Sequence, residues 1–321
     1  MYFLVTIDTE EDQWSDYSTA GQTLENIKAI PRLQALFEKY DIRPTYLISK
    51  PVANDPYAIE MLGDIEEKGK AEIGAHCHPW NTPPFTEAIN PYNSMLCNLP
   101  SNLQHEKLFT LTSTIQNNFN IQPVSFRAGR WGYNSSVAKN LTRLGYRVDT
   151  SLTPFMDWRT YHGPDLSNSP LGPFFFNPPN IMTSVPDGSV FEIPVSIGYS
   201  RTNFKMGHNV FAFFEKKRIT KKYFIGSLVR LGILRKIWLS PEISTSKEMI
   251  LLINILKRKG AKHLNLMFHS NSLQPGNTPF VKNGDDINRF FMRLEKVLHY
   301  ISNIGCLPVT LSELSNIYRH Q

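Results

Sequence analysis

Cysteine is scarce in this chain of 321 residues, and its three cysteines form no motif. Cys77, Cys97 and Cys306 lie far apart, and no pair has the Cys-x-x-Cys spacing. Such an arrangement indicates neither a disulfide framework nor a thiolate metal site. Reduced thiols are typical of cytoplasmic proteins, so the cysteine content favours that compartment.

Long apolar runs are also missing. The longest, "MILLINIL", begins at Met249, contains Asn254 and falls far short of the roughly 20 residues that span a bilayer. The N-terminal stretch "MYFLVTIDTE" has neither a basic lead nor a small-residue cleavage site, so it does not resemble a signal peptide. We therefore expect a globular, cytoplasmic protein, and 41% hydrophobic residues can supply a sizeable core.

The net charge of +6 has a local origin. Eight basic residues and no acidic residue lie between Lys216 and Lys236, and apolar residues interleave with them at near-helical spacing as far as Trp238. An ordinary helix with one solvated face gives this pattern, and so does a basic amphipathic segment, about residues 216–238, that lies on an anionic membrane surface. No recognition motif accompanies the basic residues, so we do not expect a nucleic acid partner.

Strand-like and helix-like patterns alternate along most of the chain. The strand-like runs are "YFLVTID", "TYLIS", "EIGAHCH", "VSFR", "RVDTS", "FEIPVSI", "HLNLMFH" and "PVTL". This alternation predicts an α/β fold with a mainly parallel sheet or barrel. Between about residues 154 and 190 the pattern lapses into a segment rich in Pro, Gly and Phe, which we interpret as a loop-rich insertion that shapes a cleft. No repeat or linker divides the chain, so residues 1–321 are predicted to form a single domain.

Ionisable residues follow five of the predicted strands, at the edge where parallel α/β folds place their active sites. They are Asp8, Glu10, His76, His78, Arg127, Asp149 and His269. In an extended chain the α-carbons of a His-x-His pair lie roughly 6.6 Å apart, and two imidazoles at that spacing can close around one cation. Taken singly, each residue could cap a turn, form an ion pair or be a hydrogen-bonded core histidine. Their joint placement favours a metal site, because burying this many charges is costly unless they pair with each other or with a cation.

Five ordered blocks carry a resemblance to a known family: "VTIDTEED", "EIGAHCHPWNTPP", "FRAGRWGYN", "YRVDTSLTPFMDW" and "LNLMFHSNSL". The chain resembles the polysaccharide deacetylases of carbohydrate esterase family 4, the chitooligosaccharide-deacetylase homology group. It looks most similar to a cytoplasmic branch associated with surface-polysaccharide biosynthesis. The resemblance covers most of the chain and implies a distorted (β/α) barrel of about seven parallel strands. It also implies removal of N- or O-acetyl groups with the help of one divalent metal.

The resemblance implies a metal site formed by Glu10, His76 and His78. In the family the second histidine normally stands four residues after the first, where this chain has Trp80, so His78 would take its place. One carboxylate and two imidazoles suit Zn²⁺, with Co²⁺, Fe²⁺ or Mn²⁺ as alternatives.

The resemblance also assigns catalytic and substrate-binding roles. Asp8 corresponds to the general base, Arg127 to the arginine that holds it, and His269 to the general acid, which a carboxylate would orient. Asp157 matches the aspartate of the fourth motif, and Asp149 is its rival for that role. The expected substrate-binding residues are Trp80, Arg130, Trp131, Asp149 and Trp158.

The expected substrate is an acetamido sugar in a glycan or glycolipid precursor, from which acetate is released. Two alternatives stay open at this point. The first is an amidohydrolase that cleaves a non-sugar amide, and the second is a catalytically silent glycan-binding homologue.

Overall fold

A computed structural model of the chain describes residues 1–14, 17–18, 20–216 and 234–320. Most of the basic segment predicted at about 216–238 therefore lies outside the described residues. Its last part is described, and there the expectation of a continuous helix is wrong, because Lys236–Trp238 form a β-strand. None of the described helices is both long enough and apolar enough to cross a membrane.

A curled, mostly parallel sheet forms the centre of the protein. Its apolar strand residues are buried on both faces, as expected for parallel strands covered by helices. In chain order the strands are β1 (Tyr2–Thr9), β2 (Thr45–Ile48), β3 (Glu72–Cys77), β4 (Ser125–Ala128), β5 (Val148–Asp149), β6 (Phe174–Phe176), β7 (Val190–Glu192), β8 (Ile197–Tyr199), β9 (Lys236–Trp238), β10 (His263–His269) and β11 (Leu307–Pro308).

Seven strands run parallel in the spatial order β10, β1, β2, β3, β4, β5, β7. The predicted α/β fold with about seven parallel strands is thereby confirmed. At one edge β6 pairs antiparallel with β7, and β11 adds to β1. The segment predicted at about 154–190 is therefore not loop alone, since it carries the edge strand β6.

The two ends of the seven-strand array approach each other without a regular strand ladder between them. The backbone N–H of Ser196, beyond β7, donates to the carbonyl oxygen of Asn265 in β10 at 3.1 Å, and Met267 N–H donates to Leu239 O at 3.1 Å. These isolated bonds bridge the gap through irregular chain and through the segment that follows β9. The sheet is thus a distorted barrel, in agreement with the predicted fold.

Helices surround the sheet, and the longer ones bury an apolar stripe. In the helix Gly284–Asn303, for example, Phe290, Leu294, Val297 and Ile301 are buried at helical spacing. The described helices are α1 (Ile30–Glu38), α2 (Lys50–Asn54), α3 (Pro56–Glu67), α4 (Ser101–Phe119), α5 (Ser135–Arg143), α6 (Phe204–Lys216), α7 (Ser246–Arg258), α8 (Gly284–Asn303) and α9 (Leu311–Arg319).

The strand register brings the ionisable residues together. Asp8 at the end of β1 lies beside His269 at the end of β10, and His76 in β3 lies beside Arg127 in β4. Because all these strands are parallel, their carboxyl ends open onto one side of the barrel.

Candidate metal and catalytic site

Glu10, His76 and His78 converge at the carboxyl ends of β1 and β3. Glu10 Oε2 lies 3.2 Å from His78 Nε2 and 3.5 Å from His76 Nε2, and the two Nε2 atoms lie 3.0 Å apart. All three side chains are buried. The strand alternation explains the histidine pair, since residues two apart in a strand point to the same face.

Hydrogen bonds on the far side of each imidazole fix which nitrogen carries the proton. His76 Nδ1 lies 3.0 Å from the carbonyl oxygen of Arg127, and His78 Nδ1 lies 3.2 Å from Glu11 Oε1. Since a carbonyl and a carboxylate can only accept, each Nδ1 is the donor, and in its neutral form each ring turns a bare Nε2 toward Glu10. Two lone pairs 3.0 Å apart repel each other unless a cation lies between them. This donor set, with its outer hydrogen bonds, therefore fits a divalent metal.

The carboxylates around the histidines are also held in place. Asn271 Nδ2 donates to Glu10 Oε1 at 3.1 Å, which leaves Oε2 for the imidazoles. Burial raises the pKa of Glu10 to about 7, because a buried carboxylate lacks solvation and the charges of Glu11 and Asp8 lie nearby. A cation at this position would stabilise the ionised form of Glu10.

Asp8 lies beside the three ligands and is bound to a fully buried arginine. Arg127 Nη1 donates to Asp8 Oδ1 at 2.6 Å, while its Nη2 donates to Thr6 Oγ1 at 2.7 Å and its Nε to the carbonyl oxygen of Thr150 at 3.0 Å. Burial alone would raise the pKa of Asp8, but the positive charge of Arg127, aided by His76 and His269, outweighs it and lowers the pKa to about 2. Asp8 is thus an ionised proton acceptor over a wide pH range.

His269 lies on the other side of Asp8, with its Nε2 at 3.6 Å from Asp8 Oδ2. Its Nδ1 faces Glu242 Oε2 at 3.1 Å, and its backbone N–H donates to Glu242 Oε1 at 3.1 Å. Burial would lower the pKa of His269, but the Glu242 carboxylate, with Glu10 and Asp8, raises it to about 10. His269 is therefore a cationic proton donor whose position Glu242 determines.

Glu242 was not predicted from the sequence, and two carboxylates that were predicted lie elsewhere. Asp157 pairs with Arg159 at 2.7 Å and does not line the cavity around the ligands. Asp149 is buried at the end of β5, where Ser151 Oγ donates to it at 2.8 Å. Of the carboxylates in the described ranges, Glu242 makes the contact with His269 Nδ1 that a carboxylate was expected to make.

A cavity of about 480 Å³ opens above the cluster, and aromatic rings form much of its wall. Trp80 stacks on His78 with ring centroids 4.1 Å apart, and Trp131 stacks on Trp158 at 6.3 Å. Trp14, which covers His269 edge-on at 4.9 Å, also lines it. The predicted substrate-binding residues Trp80, Arg130, Trp131 and Trp158 thus share one cavity with the cluster, whereas Asp149 does not reach it. Further lining residues are Tyr17, Met95, Tyr161, Trp238 and Phe280.

The loop that follows His78 is held by a buried lysine of α4. Lys107 Nζ donates to the carbonyl oxygens of Pro79 at 2.9 Å, Thr82 at 2.8 Å and Pro84 at 2.7 Å, and it pairs with Glu87 at 2.8 Å. Lys107 is fully buried, so its charge is balanced entirely by these contacts. This lysine anchors the segment that carries Trp80.

We expect Lys107→Met to lower the free energy of unfolding by about 3–5 kcal/mol, because the change leaves Glu87 unpaired and three carbonyl groups without their donor. Urea unfolding of metal-free protein measures the effect. The matched control is Lys139→Met, which removes a lysine charge from an exposed position of α5 and should change stability little. Equal unfolding midpoints for the two variants would contradict the anchoring role of Lys107.

Comparison with known proteins finds similarity in structure and not in sequence. No family model and no curated protein matches the chain. A solved structure from Mycobacterium smegmatis, assigned as a polysaccharide deacetylase, matches 99% of this chain and 89% of its own with a TM-score of 0.55 at 16% identity. The 4-alpha-glucanotransferase of Thermococcus litoralis matches 98% of this chain and 40% of its own with a TM-score of 0.56 at 11% identity. A GH57 branching enzyme of Thermococcus kodakaraensis matches 99% and 71% with a TM-score of 0.52 at 10% identity.

These identities are low, so the comparisons establish the fold, and the activity has to be argued from the site. They confirm the fold that the family resemblance implies. The chain shares its fold with the Mycobacterium smegmatis structure and with the two Thermococcus enzymes.

Proposed function

We propose that the protein is a metal-dependent deacetylase that hydrolyses the N-acetyl group of an acetamido sugar in a glycan or glycolipid precursor and releases acetate. It would thus be a hydrolase of carbon–nitrogen bonds other than peptide bonds. One observation carries the proposal. An ionised proton acceptor, Asp8, and a cationic proton donor, His269, lie 3.6 Å apart beside a buried cluster of three metal-ligand side chains.

Glu10, His76 and His78 would hold the metal, and Zn²⁺ is the ion we propose for them. When bound, a divalent ion polarises the acetyl carbonyl group and lowers the pKa of water. Asp8 accepts the proton of the attacking water. The hydrogen bond from Arg127 keeps one oxygen of Asp8 occupied and leaves Oδ2, the oxygen nearer His269, for that transfer.

His269 supplies the proton that the leaving nitrogen needs, since expulsion of an unprotonated amide anion is not feasible. Its Nδ1 is held by Glu242, so the remaining N–H, on Nε2, points toward Asp8 and the cavity. Acceptor and donor therefore lie on the same side of the site. After the carbon–nitrogen bond breaks, the products are acetate and the free amine of the sugar.

The aromatic wall of the cavity supports a sugar substrate. The rings of Trp131, Trp158 and Trp238 pack together in stacked, tilted and edge-on pairs, with centroids 6.1–6.5 Å apart, and line the cavity with apolar surface. Such a surface suits the C–H surfaces of pyranose rings. The Mycobacterium smegmatis neighbour, assigned as a polysaccharide deacetylase, supports the same substrate class.

The fold is also shared with glucan-active enzymes, so the site must decide between the two chemistries. Hydrolysis of a glycosidic bond normally needs two carboxyl groups that flank the bond. In this chain Asp8 is bound to Arg127, and Glu10 faces the bare nitrogens of two histidines. That arrangement favours cation binding by Glu10 over attack on a sugar carbon.

The cellular setting is part of the same proposal. A cytoplasmic enzyme that acts on a lipid-linked precursor would benefit from the basic segment near residues 216–238 as a contact with an anionic membrane surface. Replacing the basic residues of that segment that precede β9 with glutamine should reduce partitioning onto anionic vesicles. Unchanged partitioning would contradict membrane contact.

The proposal predicts that metal-loaded protein releases acetate from a panel of N-acetylated oligosaccharides and glycolipid precursors. Protein treated with a chelator should lose this activity, because the three ligands then hold no ion. Asp8→Asn should lose it too, since the amide cannot accept the proton, and we expect a decrease of roughly 10²–10⁴-fold.

Acetate release is measured by an enzyme-coupled assay, with non-sugar amides included in the panel. Activity that survives both chelation and Asp8→Asn would contradict the mechanism. Activity confined to the non-sugar amides would identify an amidohydrolase of another kind. Sugar binding without turnover and without stoichiometric metal would identify a silent glycan-binding protein.

A further inference from the structure

The turn that follows β4 brings Arg130 to the wall of the cavity in a strained conformation. Arg130 has a φ of 53° and Trp131 a φ of 61°, both in the left-handed region. For residues other than glycine, adopting a left-handed backbone conformation costs roughly 1–2 kcal/mol per residue. Strain of this kind tends to persist where a side chain must be placed for function.

Gly129 allows this turn to pass close to a metal-ligand histidine. A Cβ atom on Gly129 would lie 2.1 Å from His78 Cδ2 and 2.6 Å from the carbonyl oxygen of Cys77. Any larger residue would therefore displace the ligand or the turn. The turn is thus packed against the metal site, and Arg130 is the residue that directly follows Gly129.

Only one of the three guanidinium nitrogens of Arg130 donates hydrogen bonds to described residues. Its Nη1 donates to Ser94 Oγ and to the carbonyl oxygen of Pro91 at 3.3 Å. Neither Nε nor Nη2 has an acceptor among the residues that the structure describes, and no carboxylate of those residues pairs with the group. By contrast, every guanidinium nitrogen of Arg127 donates a hydrogen bond.

The unused edge has the geometry of an oxyanion receptor. Nε–H and Nη2–H of arginine form a planar fork that fits two oxygens of one carboxylate or phosphate group. Arg130 is half-buried, and burial lowers its pKa. A half-buried cation without a counter-ion is costly, and an anionic ligand would relieve that cost.

A chain of ring contacts connects Arg130 to the metal site. Trp80 stacks on His78 at 4.1 Å, Tyr17 contacts Trp80 edge-on at 5.2 Å, and the guanidinium carbon of Arg130 lies 5.0 Å from the centroid of Tyr17. Three of these four side chains, all but Arg130, are aromatic, and all four line the same cavity. A sugar whose acetamido group lies at His78 would extend along these rings toward Arg130.

We propose that Arg130 recognises an oxyanion on the substrate, so that the acetamido sugar bound in this cavity carries a carboxylate or a phosphate group. This inference rests on the proposed function of the site and specifies its substrate class. The carboxylate would belong to an acidic sugar, and the phosphate to a sugar phosphate or to a diphosphate-linked carrier.

The test measures sugar binding by calorimetry to full-length, metal-loaded protein that carries Asp8→Asn, so that turnover does not disturb the heats. The probes are N-acetylglucosamine, N-acetylglucosamine 1-phosphate and N-acetylmuramic acid, which are neutral, phosphorylated and carboxylated. We expect at least one charged probe to bind about tenfold or more tightly than the neutral one, as for a charge-assisted hydrogen-bond pair. The charged probe that binds more tightly identifies the source of the anion.

Added to this protein, Arg130→Gln should abolish the preference for the charged probe. Arg130→Lys should keep only part of it, because lysine keeps the charge and loses the fork. The matched control is Arg258→Gln, which removes one positive charge from an exposed position at the end of α7 and should retain the full preference. Equal binding of all three probes, or a preference that survives Arg130→Gln, overturns the proposal.

The outcome is separable from that of the proposed function. An anion preference that depends on Arg130, together with no acetate release by metal-loaded protein in which Asp8 is intact, would support the oxyanion site and refute the deacetylase. Acetate release from neutral sugars without any anion preference would refute the role of Arg130 alone.

Discussion

Replacing His76 with alanine is expected to leave the purified protein without stoichiometric metal and without acetate release. His76 supplies one of three side-chain ligands, and its Nε2 lies 3.5 Å from Glu10 and 3.0 Å from His78 Nε2. Four-ligand zinc sites are worth roughly 10–16 kcal/mol, so one ligand corresponds to about 3 kcal/mol, or a hundredfold or more in affinity. Metal content by mass spectrometry and a competition titration with a chromophoric chelator measure the loss.

The matched control for this prediction is His269→Ala. His269 lies at the same rim but contacts Glu242 and Asp8, so its removal should leave metal content unchanged while turnover is lost. The opposite pattern, with metal lost in His269→Ala and kept in His76→Ala, would mean that the ligand and the proton donor have been exchanged. Loss of metal in both variants would point to general disruption of the site.

The residues of this site that the sequence predicts well are those at the ends of parallel strands. The period of two in a strand places His76 and His78 on one face, and the parallel arrangement places Asp8 beside His269. Both follow from local patterns and from the rule that parallel strands end at one edge. For the same reason the seven-strand barrel was predictable, although its irregular closure near Ser196 was not.

The residues that the sequence does not predict lie in irregular segments. Glu242 belongs to the connection between β9 and α7, where no periodicity reports which way a side chain points. Its contact with His269 depends on how that connection packs against β10, which is a tertiary property. From the sequence, the family resemblance indicates only that some carboxylate orients the proton donor His269.

Motif matching in an irregular segment assigned a catalytic role to Asp157, which does not line the cavity. Asp157 has an arginine two residues along the chain, and a local ion pair with Arg159 holds it away from the cavity. Asp149 ends a two-residue strand and turns to Ser151. A hydrogen bond or ion pair with a residue close in sequence can therefore hold a carboxylate away from the site, even where its motif position suggests a catalytic role.

Arg127 connects the two halves of the site more closely than the sequence indicated. Its side chain donates a hydrogen bond to Asp8, as the family resemblance implies, while its carbonyl oxygen accepts a hydrogen bond from His76 Nδ1–H. One residue of β4 thereby orients the proton acceptor and one metal ligand together. Acceptor and ligand cannot shift independently, which maintains their relative position during binding of a substrate.

Replacing Glu242 with glutamine is expected to move the alkaline limit of activity to lower pH. The Glu242 carboxylate is the main reason that the pKa of His269 is raised to about 10 against the opposing effect of burial. Glutamine removes that negative charge, so the pKa of His269 falls. The proton donor is active only when protonated, so its contribution is present below this pKa and is lost as pH rises through it.

The expected profile distinguishes loss of charge from loss of structure. At pH 9 we expect Glu242→Gln to release acetate about 10²-fold more slowly than the unaltered protein, with a smaller deficit at pH 6, where His269 still binds its proton. Ser272→Ala is the matched control, because Ser272 Oγ also donates to Glu242 but its removal leaves the carboxylate charge in place. Metal content should be unchanged in both variants. If Glu242→Gln lowered the rate equally at pH 6 and pH 9, the carboxylate would act by positioning the imidazole alone, and the charge that it supplies would have no part in keeping His269 protonated.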